Sequence, residues 1–453
     1  MNEFGVQPRG ARGGAVASVF EEVVRQVGSQ GGSIESLRGI ALFDSRRDRV
    51  VIECETFDAA VSSIERDLAV GDRLGAGNAQ RLTLQFVYES AKRMQSLAVD
   101  KDAFEATWED FTAELDAPEW VYRAVANLSH FEVEGDPSVR SLEVVGKPEP
   151  IVLPGGVTIR GRSFDELVEL GFDEHVLDQV RLDWTGFGAS SYVVVTEDEV
   201  VKTPNNFIMS NTSSLNTNPA RVLGALRLAA SGDVRYGTTW FARPGRFNVG
   251  LGGVTSTGGV PDTIGTTYRF SPSLLDRVAV LYGHLQTLEQ AGYQRGPGNL
   301  ELGLRSFMAT YDRWPWGYDS QLLDSITALE AVLGTDTEIA FRLAFRVSHI
   351  LGADEDEIGE IFDQVKGYYA TRSRVVHGGQ LKERDRLRLQ AVDDLRGIVR
   401  RLLGGFVHLA ASDDHPFDRE FFERRLDGAL IRSADRVSLR SQMGFSDEDE
   451  THR

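Results

Sequence analysis

The stretch Tyr368-Tyr369-Ala370-Thr371-Arg372-Ser373-Arg374-Val375-Val376-His377-Gly378-Gly379 sets an arginine five residues before a histidine and then closes on two glycines. A guanidinium grips a phosphate through paired N–H donors, and an imidazole moves a proton near neutral pH. Those are the two groups that RNA cleavage needs in the absence of a metal. The spacing alone is unselective, since this composition yields roughly 0.8 such pairs by chance. The setting of the pair carries the information.

That setting is a helix predicted to start at Asp354, a good N-cap, and to run through Phe362, Val365 and Tyr369 to His377. Gly378-Gly379 is a strong stop, because glycine takes left-handed dihedrals at little cost. On ideal geometry Arg372 and His377 are one and a half turns apart, about 140° around the axis. They converge only if the last turn unwinds or if a second copy of the chain supplies one of them. A dimeric site is therefore expected.

The same segment concentrates positive charge. Between 363 and 401 there are ten Lys/Arg and five Asp/Glu, whereas the whole chain carries a formal net charge of -19. A basic patch on an acidic body suits local docking of a phosphate backbone with little non-specific binding elsewhere. Arg374, Lys366, Lys382 and Arg384 are the candidate RNA-binding residues. The plain alternative is an Arg-rich helical surface held by i, i+4 ion pairs, as along Arg384–Arg388.

The elements needed to position these groups can be read in outline. The expected fold class is α+β: a mixed α/β N-terminal region with a β-rich middle, then an antiparallel helical bundle. Residues 1–15 read as a disordered N-terminus and 16–118 as mostly helical, with helices at 19–27, 56–68, 79–97 and 102–115. A strand pair at 39–43 and 49–53 lies among them. Residues 119–270 read as β-rich, with strands at 141–145, 151–153, 157–159, 191–195, 200–202 and 238–242. Helices interrupt this region at 164–170, 174–182 and 220–230. From Ser271 the pattern is helical: Pro272 at a first helical position, then 274–291, 300–311, a helix ending near Gly334, 339–351, the motif helix, and one long helix over 384–411. The bundle is placed at 271–432, and 433–453 is read as a disordered acidic tail.

Composition narrows the chemistry further. The chain has 453 residues, 41% of them hydrophobic, enough for two or three domains. A single cysteine, Cys54, allows neither an internal disulfide nor a thiolate metal cage and suits a reducing cytoplasm. No run of 18 uncharged apolar residues is present, so no membrane partner is expected. No His-Glu-x-x-His or clustered carboxylates suggest a metal, and no cofactor is expected. Gly250-x-Gly252-Gly253 matches neither the dinucleotide fingerprint nor the Walker loop and reads as a flexible β-connection. There is no Gly-x-Ser-x-Gly elbow for a serine hydrolase; Gly188-Ala189-Ser190-Ser191 does not supply one.

From Gln321 to Gly379 the order of features resembles the Apea-like branch of the HEPN family (higher eukaryotes and prokaryotes nucleotide-binding). An apolar helix reaches Ala328-Leu329-Glu330, a second carries Phe341-Arg342-Leu343-Ala344-Phe345-Arg346, and Tyr-Tyr-x-x-Arg-Ser-Arg-x-Val-His-Gly-Gly follows. The resemblance spans roughly 275–430. It implies a four-to-five-helix bundle that forms a homodimer through the motif helix, so that two Arg/His pairs face each other. It also implies a metal-independent endoribonuclease of toxin–antitoxin or antiphage type, with Arg372 and His377 catalytic, or a member that has lost catalysis and serves as an RNA- or nucleotide-binding or dimerisation scaffold. Residues 119–270 would then sense a trigger or restrain the nuclease.

Ser373 stands where better-known nuclease branches carry Asn, Asp or His. Tyr369, one turn before Arg372, is core or orients phosphate. Glu330, on an apolar face, needs a buried partner, and Arg346 (or Arg342) is the candidate. Each motif residue also has a structural reading: His377 as a cap on helix carbonyls, Arg372 and Arg374 as surface partners of acidic residues in 354–360. His130, His175, His284, His349, His408 and His415 have no metal-ligand spacing.

Overall fold

The computed structural model describes residues 11–29, 31, 34, 76–95, 100–135, 149–161, 192–201, 213–242, 254–256, 265–292, 299–312, 317–333, 338–412 and 419–445. The elements expected at 39–43, 49–53, 56–68, 141–145, 164–170 and 174–182 lie outside these residues. Three helices come first: α1 (Ala11–Ser29), α2 (Ala76–Met94) and α3 (Lys101–Asp116). The start of α1 at Ala11 corrects the expected disorder for 11–15. Apolar positions such as Phe20, Val23 and Val27 are buried, so packing of the later turns supports a helix whose first turn contains Gly13 and Gly14. Phe86 of α2 meets Phe104, Trp108 and Phe111 of α3 edge-on or tilted, with centroids 5.0–5.7 Å apart.

A six-stranded antiparallel sheet follows, in the order β3-β4-β5-β1-β6-β7. Its strands are β1 (Glu119–Ser129), β3 (Ile151–Val152), β4 (Thr158–Gly161), β5 (Tyr192–Val201), β6 (Arg235–Ala242) and β7 (Val254–Ser256). β2 (Phe131–Val133) and β8 (Tyr268–Phe270) form a separate parallel pair. The strands expected at 191–195 and 200–202 are one continuous β5. The Thr196–Glu199 segment between them pairs with Val121–Ala124 along the long central strand β1, and the ladder carries polar side chains through. β7 begins directly after Gly250-x-Gly252-Gly253, the expected flexible β-connection.

α4 (Ser213–Ala229) crosses the sheet and begins well before the expected 220, with Pro219 inside it. Gly232, at φ +131°, lets the next turn press on β8: a Cβ there would lie 2.5 Å from Tyr268 Cα.

The helical half contains α5 (Leu275–Gln290), α6 (Leu300–Asp312), α7 (Tyr318–Leu333), α8 (Ile339–Leu351), α9 (Glu355–Val376), α10 (Glu383–Gln390), α11 (Val392–Ser412), α12 (Arg419–Ile431) and α13 (Ser433–Gln442). One apolar core joins Ala126, Leu128 and Val194 of the sheet, Val222 and Leu226 of α4, and Leu285, Phe307, Leu329, Val365 and Phe406 of the helices. The fold is thus α+β with the two halves sharing one interior.

Two expectations are corrected. The long helix over 384–411 breaks at Ala391, whose carbonyl accepts a 2.6 Å hydrogen bond from the Tyr368 hydroxyl of α9. Residues 433–445 are not a disordered tail. α13 buries Leu439 and Met443, and Arg440 Nη1 donates to the carbonyls of Ile350, Leu351 and Gly352 at 2.6–3.1 Å. It thereby satisfies orphan carbonyls at the end of α8. Residues 446–453 lie outside the described ones. Among the described residues no helix is long and apolar enough to cross a membrane.

Candidate active site

The motif helix is α9, and its two ends are set by local chemistry. Asp354 is the N-cap: its Oδ1 accepts from the N–H of Glu357 at 2.8 Å, and Glu355, Asp356 and Glu357 meet the positive end of the helix. At the other end Gly378 adopts φ +65°. Gly379 N–H bonds Arg374 C=O at 2.8 Å, and Gly378 N–H approaches Val375 C=O at 3.4 Å. These are the two bonds of a Schellman stop, and they leave His377 as the C-cap residue.

His377 keeps the helical bond, its N–H donating to Ser373 C=O at 3.1 Å. The last turn has not unwound. The imidazole is exposed and has no hydrogen bond to any described residue. Val376 beside it is 48% exposed, an apolar side chain in water next to the motif histidine.

Arg372 points elsewhere, toward α7. Its Nη2 lies 3.7 Å from Glu330 Oε2, and both side chains are about one-quarter exposed, at 27% and 26%. Its Nε is buried and lacks a hydrogen-bond partner among the described residues. Tyr369, one turn earlier, lies under the guanidinium with its ring centre 5.8 Å from Cζ, and its phenol feels the Glu330 carboxylate. Burial first, then the Glu330 carboxylate, raise the Tyr369 phenol above its ordinary value. Glu330, Tyr369 and Arg372 therefore make one cluster, which the regular helix keeps apart from His377. A single chain does not bring the two catalytic candidates together.

The expected Glu330–Arg346 pair gives way to this arrangement. Arg346 is buried and its Nη1 donates to Leu333 C=O at 3.1 Å, closing the end of α7. Arg342 faces Glu338 at 3.9 Å. The partners expected for Arg372 and Arg374 within 354–360 are likewise replaced, by Glu330 on α7 and by Asp385 on α10.

Asp385 was not singled out by sequence, yet it organises the end of the motif. Its carboxylate is fully covered while sitting close to the surface. Oδ1 accepts from Arg374 Nη1 at 2.6 Å and from the Thr371 hydroxyl at 3.1 Å; Oδ2 accepts from Lys382 N–H at 2.9 Å. Arg388 approaches at 3.9 Å. Burial alone raises this carboxyl, but the Lys382 N–H, the Thr371 hydroxyl and Arg374 outweigh it and hold the group below its ordinary range. The available signal was slight: Asp385 stands three residues after Lys382, the position from which a carboxylate can accept the backbone N–H at the start of α10.

Of the proposed RNA contacts, Arg374 is thus committed to Asp385. Lys366, Lys382 and Arg384 are exposed, and Lys366 Nζ stands 5.2 Å from the Phe362 ring centre. Ser373 is half-buried, and its carbonyl serves the His377 N–H. Among the described residues no group of three or more His, Cys, Asp or Glu could hold a metal ion. Three comparisons with known proteins returned nothing: no family model matches the chain, no curated protein matches it, and no solved structure matches it.

Proposed function

We propose that this chain is a HEPN-type, metal-independent endoribonuclease that cuts single-stranded RNA as a homodimer. The observation that carries the reading is the exposed, unpartnered His377, fixed by a glycine stop at the end of a helix whose Arg372 lies five residues earlier. The neighbouring Val376 supplies an apolar contact for a second copy. In an antiparallel approach of two α9 ends, the Arg372 of one chain and the His377 of its partner share one phosphodiester.

His377 takes the proton of a ribose 2′-hydroxyl, and the freed oxygen attacks phosphorus. Arg372, detached from Glu330, neutralises the charge gathering on the non-bridging oxygens. The P–O5′ bond breaks, and the departing oxygen takes a proton from the second His377. The products are a 2′,3′-cyclic phosphate and a 5′-hydroxyl. The exposed Lys366, Lys382 and Arg384 steer the RNA backbone. The β-rich half, sharing its core with the helices, restrains or triggers the nuclease, as a role in phage defence or a toxin–antitoxin pair requires.

Purified protein incubated with RNA in EDTA is expected to give cyclic-phosphate ends, and His377→Ala to abolish them. Cleavage unchanged in that variant defeats the assignment. One observation favours a second reading, a non-catalytic RNA-binding scaffold: within one chain Arg372 is held by Glu330 and not beside His377. That reading expects salt-sensitive RNA binding with no product.

A further inference from the structure

Away from the motif, one pair of side chains brings two metal-ligating atoms together. His284 of α5 and His408 of α11 are 124 residues apart in the chain, so no sequence spacing links them. In the fold, His284 Nε2 lies 3.2 Å from His408 Nδ1. The ring planes stand at 82°, with their centres 5.0 Å apart. Both residues are half-buried, which leaves the pair open to solvent.

The frame around them is firm. Leu281, Leu285 and Leu288 of α5 and Val407 and Leu409 of α11 belong to the common apolar core, which fixes both backbones. The turn that closes α13 presses on the His408 ring. Gly444 there takes φ +77°, and a Cβ on it would lie 3.3 Å from His408 Cδ2.

A close pair of imidazoles either shares a hydrogen bond or aims two lone pairs at one ion. A straight N–H···N bond of this length would set the ring centres about 5.5 Å apart. Two imidazoles on one tetrahedral ion, with each nitrogen about 2.0–2.1 Å from the metal, have nitrogens about 3.3 Å and ring centres about 5.2 Å apart. The observed 3.2 and 5.0 Å are nearer the second pattern, that of rings splayed from a common point. Burial, joined for His284 by the effect of His408, lowers both groups below their ordinary value. Near neutral pH each therefore offers the neutral form that ligates metals.

We infer that the contact between α5 and α11 is a two-histidine site for a divalent transition ion of the zinc, nickel or copper kind, bound by His284 Nε2 and His408 Nδ1. Imidazole nitrogen favours these ions over magnesium and calcium, which take oxygen ligands. Among the described residues no third His, Cys, Asp or Glu joins the pair, so water completes the coordination and the ion exchanges. Bound there, it staples α5 to α11 reversibly. The site uses neither Arg372 nor His377 and stands independently of the ribonuclease reading.

The test titrates zinc chloride, with magnesium chloride as the control, into the untagged full chain at neutral pH after EDTA treatment and dialysis. Calorimetry is expected to show one strong zinc site per chain, and zinc to raise the melting temperature where magnesium does not. His284→Asn and His408→Asn are each expected to weaken zinc binding at least about tenfold, and either one decides alone if the other does not fold. Mapping histidine carbethoxylation gives a reading on the unaltered chain: zinc is expected to shield His284 and His408. Zinc binding of equal strength in the variants assigns the ion to other surface histidines and overturns the site. A wild type that zinc neither stabilises nor shields at these two residues overturns it as well.

Discussion

Asp385 and Glu330 both hold arginines of the motif helix, on opposite sides of it and by different means. Asp385 is fully covered and takes three hydrogen bonds of 2.6–3.1 Å from Arg374, Thr371 and the Lys382 backbone. Glu330 is one-quarter exposed and meets Arg372 at 3.7 Å, beyond hydrogen-bond range. The first carboxylate is part of the frame, because Arg374 and the Lys382 N–H would lose their acceptor if it went, while the Thr371 hydroxyl would keep only the Gly367 carbonyl at 3.1 Å. The second is an exchangeable counter-ion. A partly exposed pair of this kind contributes about 0–1 kcal/mol, so a phosphate can take its place at small cost. The contrast gives a physical ground for telling Arg372 from Arg374: one meets an exchangeable carboxylate and the other a buried one.

The strongest way to break the comparison is Asp385→Ala. It strands Arg374 and the Lys382 N–H and leaves the Thr371 hydroxyl with only the Gly367 carbonyl, so a large fall in melting temperature is expected, with loss of any activity that depends on His377. A melt close to wild type would show that Asp385 frames nothing.

An acid titration of stability sharpens the same point with a smaller effect. The Asp385 carboxyl lies below its ordinary 3.8 in the folded chain, so its contribution is intact above about that pH and is lost as pH falls through the folded value. His284 and His408 touch at 3.2 Å between α5 and α11. Burial lowers both, and His408 further lowers His284, so the unfolded chain protonates first. Their contribution is therefore intact above about 6.5 and is lost as pH falls below it. Melts from neutral to acid pH are expected to decline in two steps, the first flattened by His284→Asn and the second by Asp385→Ala. A single step unaffected by either change counts against these assignments.

The smallest expected effect is on stability in Glu330→Gln: less than about 1 kcal/mol. Its value lies in the second readout. If Glu330 is only a counter-ion, RNA binding rises a few-fold in the variant; if it positions Arg372 for its task, binding or cleavage falls.

How much of this was legible depended on whether a feature was local. The start of α9 at Asp354, its stop at Gly378 and the bounds of α8 were visible because caps, glycines and a 3.6-residue period are written in consecutive residues. The break at Ala391 was not, since nothing between Arg384 and Ala411 forbids a helix; it is imposed by a tyrosine hydroxyl from α9. α13 was hidden by a short, polar sequence, with one Asp against two Arg, that leaves only Leu439 and Met443 to mark its buried side. The site divides the same way. Arg372 and His377 could be chosen from spacing, but their separation of about 140° left open whether the last turn unwinds or a second copy completes the pair; the turn stays helical, and Arg372 reaches Glu330 on α7. Which acids would meet Arg372 and Arg374 is a matter of tertiary approach, and sequence named the wrong ones.

The continuity of the interior from Ala126 and Leu128 through Leu226 to Phe406 has a practical meaning for how this molecule can be divided. The motif-bearing half has no outer skin of its own on the side toward the strands; what faces them is oil, not solvent-ready surface. A cut placed at the change from strands to helices would open a wound rather than release a module. Whatever signal reaches the strands is therefore received by the same solid body that carries the histidine.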